Sequence, residues 1–172
     1  MEDVVISVIT RDIVHAPTVQ WLCNQAFPVH VVQSPGTIEH NRNLQVVRFL
    51  KTKADWLFIL DNDVVPVERT IEKLLDNIPA KVCRVAPPWT ITPNKNRCPM
   101  AYRWEDDVAL YFPLSYQAEG IYEAAMCGMS GSLIPRSVFE ELQQPWFKMT
   151  HTADGLLDET EDVFFWHRVR EL

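Results

Sequence analysis

Two aspartates one residue apart, Asp61 and Asp63, follow directly on the apolar run Trp56-Leu57-Phe58-Ile59-Leu60. In extended backbone, side chains at i and i+2 point the same way. The pair therefore offers two hard oxygen donors suited to Mg²⁺ or Mn²⁺ and, through such an ion, to a diphosphate. In an open α/β sheet, ligands gather outside the carboxyl ends of the strands, where a pair ending an apolar run would stand. The competing reading is a solvated acidic turn that caps a helix beginning near Glu68.

Further candidates occur along the chain. Glu161-Asp162 opens the last helical pattern, although acids in a first turn also follow from the helix dipole alone. Arg42, beside Asn41, stands near the start of an earlier helix. An arginine there is electrostatically unfavourable without an anion, so it is either a phosphate partner or a surface residue. Thr10-Arg11-Asp12 ends the first apolar run and falls on the same sheet edge as Asp61, which adds Thr10 and Arg11 as nucleotide contacts. Gly128-Met129-Ser130-Gly131 is a small-residue turn that permits close backbone approach to a ligand, or an ordinary tight turn.

The elements that must position these groups alternate. Strands are predicted over residues 4–10, 29–33, 56–60 and 82–86, with helices over 17–26, 40–51 and 68–76 between them. This rhythm implies an α/β fold with a mostly parallel sheet flanked by helices. Residues 87–120 are broken by prolines and read as loops with one or two short strands. A strand over 121–127, the turn at 128–131, a short helix over 137–143 and a last helix from about 160 to 172 complete the chain.

The chain has 172 residues, enough for one domain and too few for two comfortable ones. Its formal charge of −7, from 16 basic and 23 acidic side chains, argues against whole-surface attraction to nucleic acid. Cys23, Cys83, Cys98 and Cys127 form no CxxC pair, against a zinc knuckle or redox motif. No basic-apolar leader opens the sequence and no apolar run approaches the roughly 18 residues of a membrane span, so a soluble cytoplasmic protein is expected, in the host cytoplasm if viral.

In order and spacing, ISVITRD, HNRNL, DWLFILDNDVVP, CGMSGSLIPRSVFEEL, PWF and ETEDVFFWHRV resemble the GT-A glycosyltransferases, in particular the compact family-2-like enzymes of phage and bacterial genomes. The resemblance covers nearly the whole chain. It implies a GT-A fold over residues 1–172, with a donor-binding half to about residue 86 and an acceptor-side half beyond. It further implies a Mn²⁺ or Mg²⁺ cofactor, a UDP- or GDP-sugar donor, and transfer of a hexose or N-acetylhexosamine to an acceptor hydroxyl with inversion. Asp63 would be the main metal ligand, and Asp61 would contact the metal or the donor ribose. Arg42 and Asn62 would lie near the nucleotide or diphosphate. Asp162 would be the general base, with Glu161 beside it, a division of labour that needs acids at two separate positions.

By the same resemblance Gly128, Ser130 and Gly131 would line the donor sugar or acceptor, and Trp146 with Phe147 would form an aromatic wall or else a hydrophobic plug. A histidine often completes the metal site; His151 is preferred over the helical His167, against the reading of a plain surface histidine. Relatives usually continue beyond the last helix into another strand and often a histidine-bearing tail, whereas this sequence stops at Leu172.

By the same resemblance the acceptor would be a glycan, a protein or a modified DNA base, and its choice is expected to reside in residues 87–120. That segment includes Trp89, Tyr102, Arg103 and Trp104, with Lys95, Arg97 and Arg103 as a basic rim. Two other functions compete: a sugar nucleotidyltransferase, disfavoured by the absence of glycine after the first strand, and a nucleotide-sugar-binding module without turnover.

Overall fold

The computed structural model of the chain describes residues 3–76, 82–91, 97–105, 110–113 and 121–172. Its centre is a five-stranded sheet in which the strands lie in the order β2 (Val29–Gln33), β1 (Val4–Thr10), β3 (Trp56–Asp61), β10 (Ser132–Pro135) and β4 (Arg84–Val85). Both β2 and β3 run parallel to β1, with Val4 opposite Trp56 and Val8 opposite Leu60. Helix α1 (Ala16–Cys23) links β1 to β2, and α2 (Ile38–Leu50) links β2 back across to β3.

Alternation along the strands divides the core. Val4, Ile6 and Val8 of β1 and Trp56, Phe58 and Leu60 of β3 pack with Trp21 and Leu22 of α1 and Ile71 of α3 (Thr70–Leu75). The intervening Val5, Leu57 and Ile59 pack with Val46 and Phe49 of α2, Phe139 of α4 (Arg136–Glu141) and Phe165 of α5 (Glu161–Arg170). Strands covered on both faces need apolar side chains at nearly every position, which is why β1 and β3 read as continuous apolar runs.

The sheet departs from the expected parallel order at β10 (Ser132–Pro135), which is antiparallel to both β3 and β4 (Arg84–Val85). The sequence reading places a turn followed by a helix here and misses this strand. The four residues are fully covered, and Pro135 ends the strand where α4 begins. The result is a mixed α/β sheet flanked by helices.

The proline-broken middle holds more strand than expected. A two-stranded sheet joins β5 (Trp89–Ile91) to β6 (Arg97–Pro99), and a three-stranded sheet has the order β8 (Leu110–Pro113), β7 (Ala101–Glu105), β9 (Met126–Cys127). Strand β9 is shorter than the expected 121–127. Two short strands, β11 (Thr150–His151) and β12 (Leu157–Glu159), form a hairpin before α5. Lys95 lies outside the described residues, as do the side chains of Trp89, Arg97 and Cys98. No helix among the described residues is long and apolar enough to cross a membrane.

Two local features hold α2 in place. At its C-terminal end the Arg136 guanidinium donates to the carbonyls of Ala54 at 2.8 Å, Thr52 at 2.9 Å, Phe49 at 3.4 Å and Leu50 at 3.5 Å, tying the last turn of α2 and the loop after it to the start of α4. Near its start Asn43 donates to the carbonyls of Glu39 and Phe147, both at 2.7 Å, and accepts the backbone N–H groups of Trp146 and Phe147.

Candidate functional site

Because β1 lies between β2 and β3, the chain leaves β1 to one side and returns on the other, and α1 and α2 cover opposite faces of the sheet. Such a switch point opens a crevice at the carboxyl ends of the strands. The crevice is present as a cleft of about 310 Å³ lined by Ile9 to Ile13 at the end of β1 and just beyond it, Ile38 and Asn41 in the first turns of α2, and Asp61, Asn62 and Asp63 at the end of β3 and just beyond it. Sequence reasoning named the polar members of this set. The apolar liners Ile9, Ile13 and Ile38 went unnamed, although Ile38 stands one helical turn before Asn41.

Each residue of the Asp-Asn-Asp run does something different. Asp63 is exposed on the cleft. Asn62 is a bridge: its amide donates to the Ile13 carbonyl at 2.8 Å while its own carbonyl accepts the His15 N–H at 2.9 Å, which joins the loops after β3 and β1. Asp61 is about one-third exposed and accepts a 2.6 Å charge-assisted bond from Arg42 Nη2 on Oδ1, while its backbone N–H donates to Ser130 Oγ at 3.0 Å. None of the three caps a helix, since α3 opens only at Thr70, with Arg69 in the left-handed region before it.

Arg42 departs from expectation. It is neither a surface arginine nor a cleft-lining phosphate contact: only 3% of its side chain is exposed. Nη1 donates to Gln45 Oε1 at 3.3 Å, and Gln45 in turn donates to the Ser7 carbonyl at 2.7 Å. Nε is buried without a hydrogen-bond partner.

The turn after β9 is likewise structural. Gly128, Ser130 and Gly131 are all buried, and none is among the residues lining the cleft. Gly131 has φ +83°, and a Cβ there would stand 2.3 Å from the carbonyl oxygen of Ala86; its N–H donates to the Ile59 carbonyl at 2.8 Å. The glycine is needed for close packing of β3, β10 and β4.

At the other acidic position, Asp162 accepts from the Thr160 hydroxyl and from the Val163 N–H at 2.9 Å, and so orders the first turn of α5. Glu161 is half-buried, and its carboxyl is raised above the usual range, first by burial and then by the charge of Asp162. Its own backbone N–H and the charge of Arg42 act in the opposite direction, and Asp61 adds a smaller upward push. The start of α5 and the end of β3 thus share one electrostatic neighbourhood.

Among solved structures, the crystal structure of A197 from STIV is similar to this chain, with 21% sequence identity and a TM-score of 0.64, covering 96% of this chain and 76% of that one. The likeness shows a shared fold. No protein-family model and no curated protein matches the chain.

The remaining sequence-predicted residues lie elsewhere. Trp146 and Phe147 are 4% and 1% exposed, so of the two readings the structure has the plug. Trp146 Nε1 donates to the Phe139 and Leu142 carbonyls, and Phe147 stacks on Phe165 at 4.8 Å. His151 is exposed on β11, and His167 Nδ1 lies 2.5 Å from Glu159 Oε1. Among the described residues no three His, Cys, Asp or Glu side chains are grouped to hold a metal ion, so His151 does not complete a site with Asp61 and Asp63. Two carboxylates still suit a cation that shares its remaining positions with phosphate oxygens and water, the usual arrangement for Mg²⁺.

Proposed function

We propose that the chain is a metal-dependent glycosyltransferase of the GT-A type, which moves a sugar from a UDP- or GDP-sugar to an acceptor hydroxyl with inversion. The observation that carries this reading is the convergence of Thr10, Arg11, Asn41, Asp61 and Asp63 on one cleft at the switch point of the sheet, with Glu161 within electrostatic reach of Asp61. The cleft has the place and the polar lining that a nucleotide diphosphate needs.

In this reading Asp63 and the free Oδ2 of Asp61 would hold Mn²⁺ or Mg²⁺, which when bound supplies positive charge against the leaving diphosphate. Thr10 and Arg11 border the nucleotide. The acceptor proton passes to a carboxylate at the start of α5, where a raised pKa suits a general base. Asp162 is the base by resemblance, and the environment of Glu161 makes it the second candidate.

Calorimetry with UDP, GDP, CDP and dTDP, each with and without Mn²⁺, tests the reading. The expected result is metal-dependent binding of UDP or GDP that is lost in Asp63→Ala. Failure of all four nucleotides to bind refutes it. Binding of one of them without any donor hydrolysis or transfer would instead favour a binding module.

A further inference from the structure

The Arg42–Asp61 pair has a property that the donor-site reading leaves unused. A guanidinium 3% exposed, held at 2.6 Å from Asp61 Oδ1, cannot turn outward to meet a ligand, because Gln45 fixes its other arm and the Ser7 carbonyl fixes Gln45. Its charge nevertheless stays within the site. Asp61 and Asp63 carry two negative charges and Arg42 returns one positive, so the end of β3 presents a net charge close to −1 and one fewer free carboxylate oxygen than its sequence suggests. Charge-assisted pairs of this length are strong, and a buried one is screened little by salt. That the same guanidinium opposes the upward shift of Glu161 agrees with a charge shared between β3 and α5.

We infer that Arg42 is the internal counter-ion of this carboxylate site. It weakens the hold of Asp61 and Asp63 on a bare divalent cation, so that the cation is retained better together with an anionic ligand such as a nucleoside diphosphate. The inference rests on the reading of the cleft as a cation–diphosphate site. Its physical basis is simple: a fixed positive charge beside a divalent cation lowers affinity by about tenfold within several ångströms, even at the dielectric constant of water. An incoming diphosphate reverses that balance by adding negative charge. Arg42 acts through Asp61 and through its charge, which makes it a positioning residue rather than a catalytic one.

The test is Mn²⁺ binding to the full chain, followed by the electron paramagnetic resonance signal of free Mn²⁺, without nucleotide and then with UDP or GDP. Arg42→Met and Arg42→Gln, with folding checked by circular dichroism, both remove the charge; the glutamine variant keeps a hydrogen-bond donor near Asp61 if the methionine variant fails to fold. Arg42→Lys retains the charge. The expected result is bare-Mn²⁺ binding about tenfold tighter in the neutral variants and within about twofold of the parent in Arg42→Lys. A residue that merely supported the fold would not give a gain of affinity, nor its rescue by lysine. Neutral variants that bind Mn²⁺ no more tightly than the parent overturn the inference. If they gain affinity for bare Mn²⁺ but nucleotide does not promote Mn²⁺ retention in the parent, the counter-ion role stands and the diphosphate reading falls.

Discussion

Gly131→Ala separates a packing role for the turn after β9 from a ligand-lining one. The new Cβ would meet the Ala86 carbonyl oxygen at 2.3 Å, and the φ of +83° is one that alanine adopts with strain. The strain costs about 1–2 kcal/mol. Relieving the clash means moving backbone, since the Ala86 N–H is itself bonded to the Gly131 carbonyl at 3.0 Å, and overpacking of this kind adds about 1–3 kcal/mol. The expected loss is therefore about 2–5 kcal/mol, a large part of a typical domain's stability. Gly155 provides an internal control: its φ is +84° and a Cβ added there would meet nothing within 4 Å, so Gly155→Ala should cost only the strain of about 1–2 kcal/mol. Urea unfolding followed by circular dichroism and tryptophan fluorescence measures both. Equal losses in the two variants would refute the packing argument, as would a Gly131→Ala protein of undiminished stability that has lost only nucleotide binding.

Three further outcomes are expected. Arg136→Ala should lose about 2–4 kcal/mol in urea unfolding, because its two shortest charge-assisted bonds to backbone carbonyls vanish and their acceptors, Thr52 and Ala54 in the loop after α2, are only partly rehydrated; Arg136→Lys should recover part of the loss. Asp63→Ala should leave stability within about 0.5 kcal/mol of the parent, since the side chain is exposed, so any loss of nucleotide binding is attributable to the site itself. Glu161 has a folded-state pKa raised above its unfolded value, so its contribution to stability is complete below the unfolded carboxylate range and is lost as pH rises through the folded pKa. Glu161→Gln should accordingly melt higher than the parent at neutral pH, and the difference should shrink as both proteins are acidified through that range.

The part of the architecture written in local pattern was readable from the sequence. The strands β1, β2 and β3 and the helix α2 announce themselves through apolar runs and helical spacing, and with their order comes the sheet edge where Asp61, Asp63, Thr10 and Arg11 meet. What could not be read depends on distant partners. Strand β10 is four residues long, abuts a helix without a linker and carries a proline, so nothing nearby marks it; its pairing with Trp56 to Ile59 creates it. Arg42, Ser130 and Gly131 are residues of ligand-binding type in plausible places, and only burial reveals that they serve Asp61 and the sheet instead. Asn43 and Gln45, which follow Asn41 and Arg42 in sequence, point their amides at backbone groups of the fold. Trp146 and Phe147 illustrate the same limit, because an aromatic pair in a loop has the same spelling whether it faces a sugar or a core.

The antiparallel insertion of β10 between β3 and β4 also bears on how the chain emerges during synthesis. By the time Asp61 has left the ribosome, β1, β2 and β3 can pair with one another, but the far edge of β3 stays open until Ser132 to Pro135 has been made. That edge belongs to Trp-Leu-Phe-Ile-Leu, an uncharged, β-favouring segment of the kind that templates intermolecular pairing when left exposed. A nascent or truncated chain ending before β10 therefore carries the ingredients of the sheet together with an unprotected border. The late strand covers that border, so the exposure of this segment ends with the arrival of β10 rather than with completion of the parallel unit.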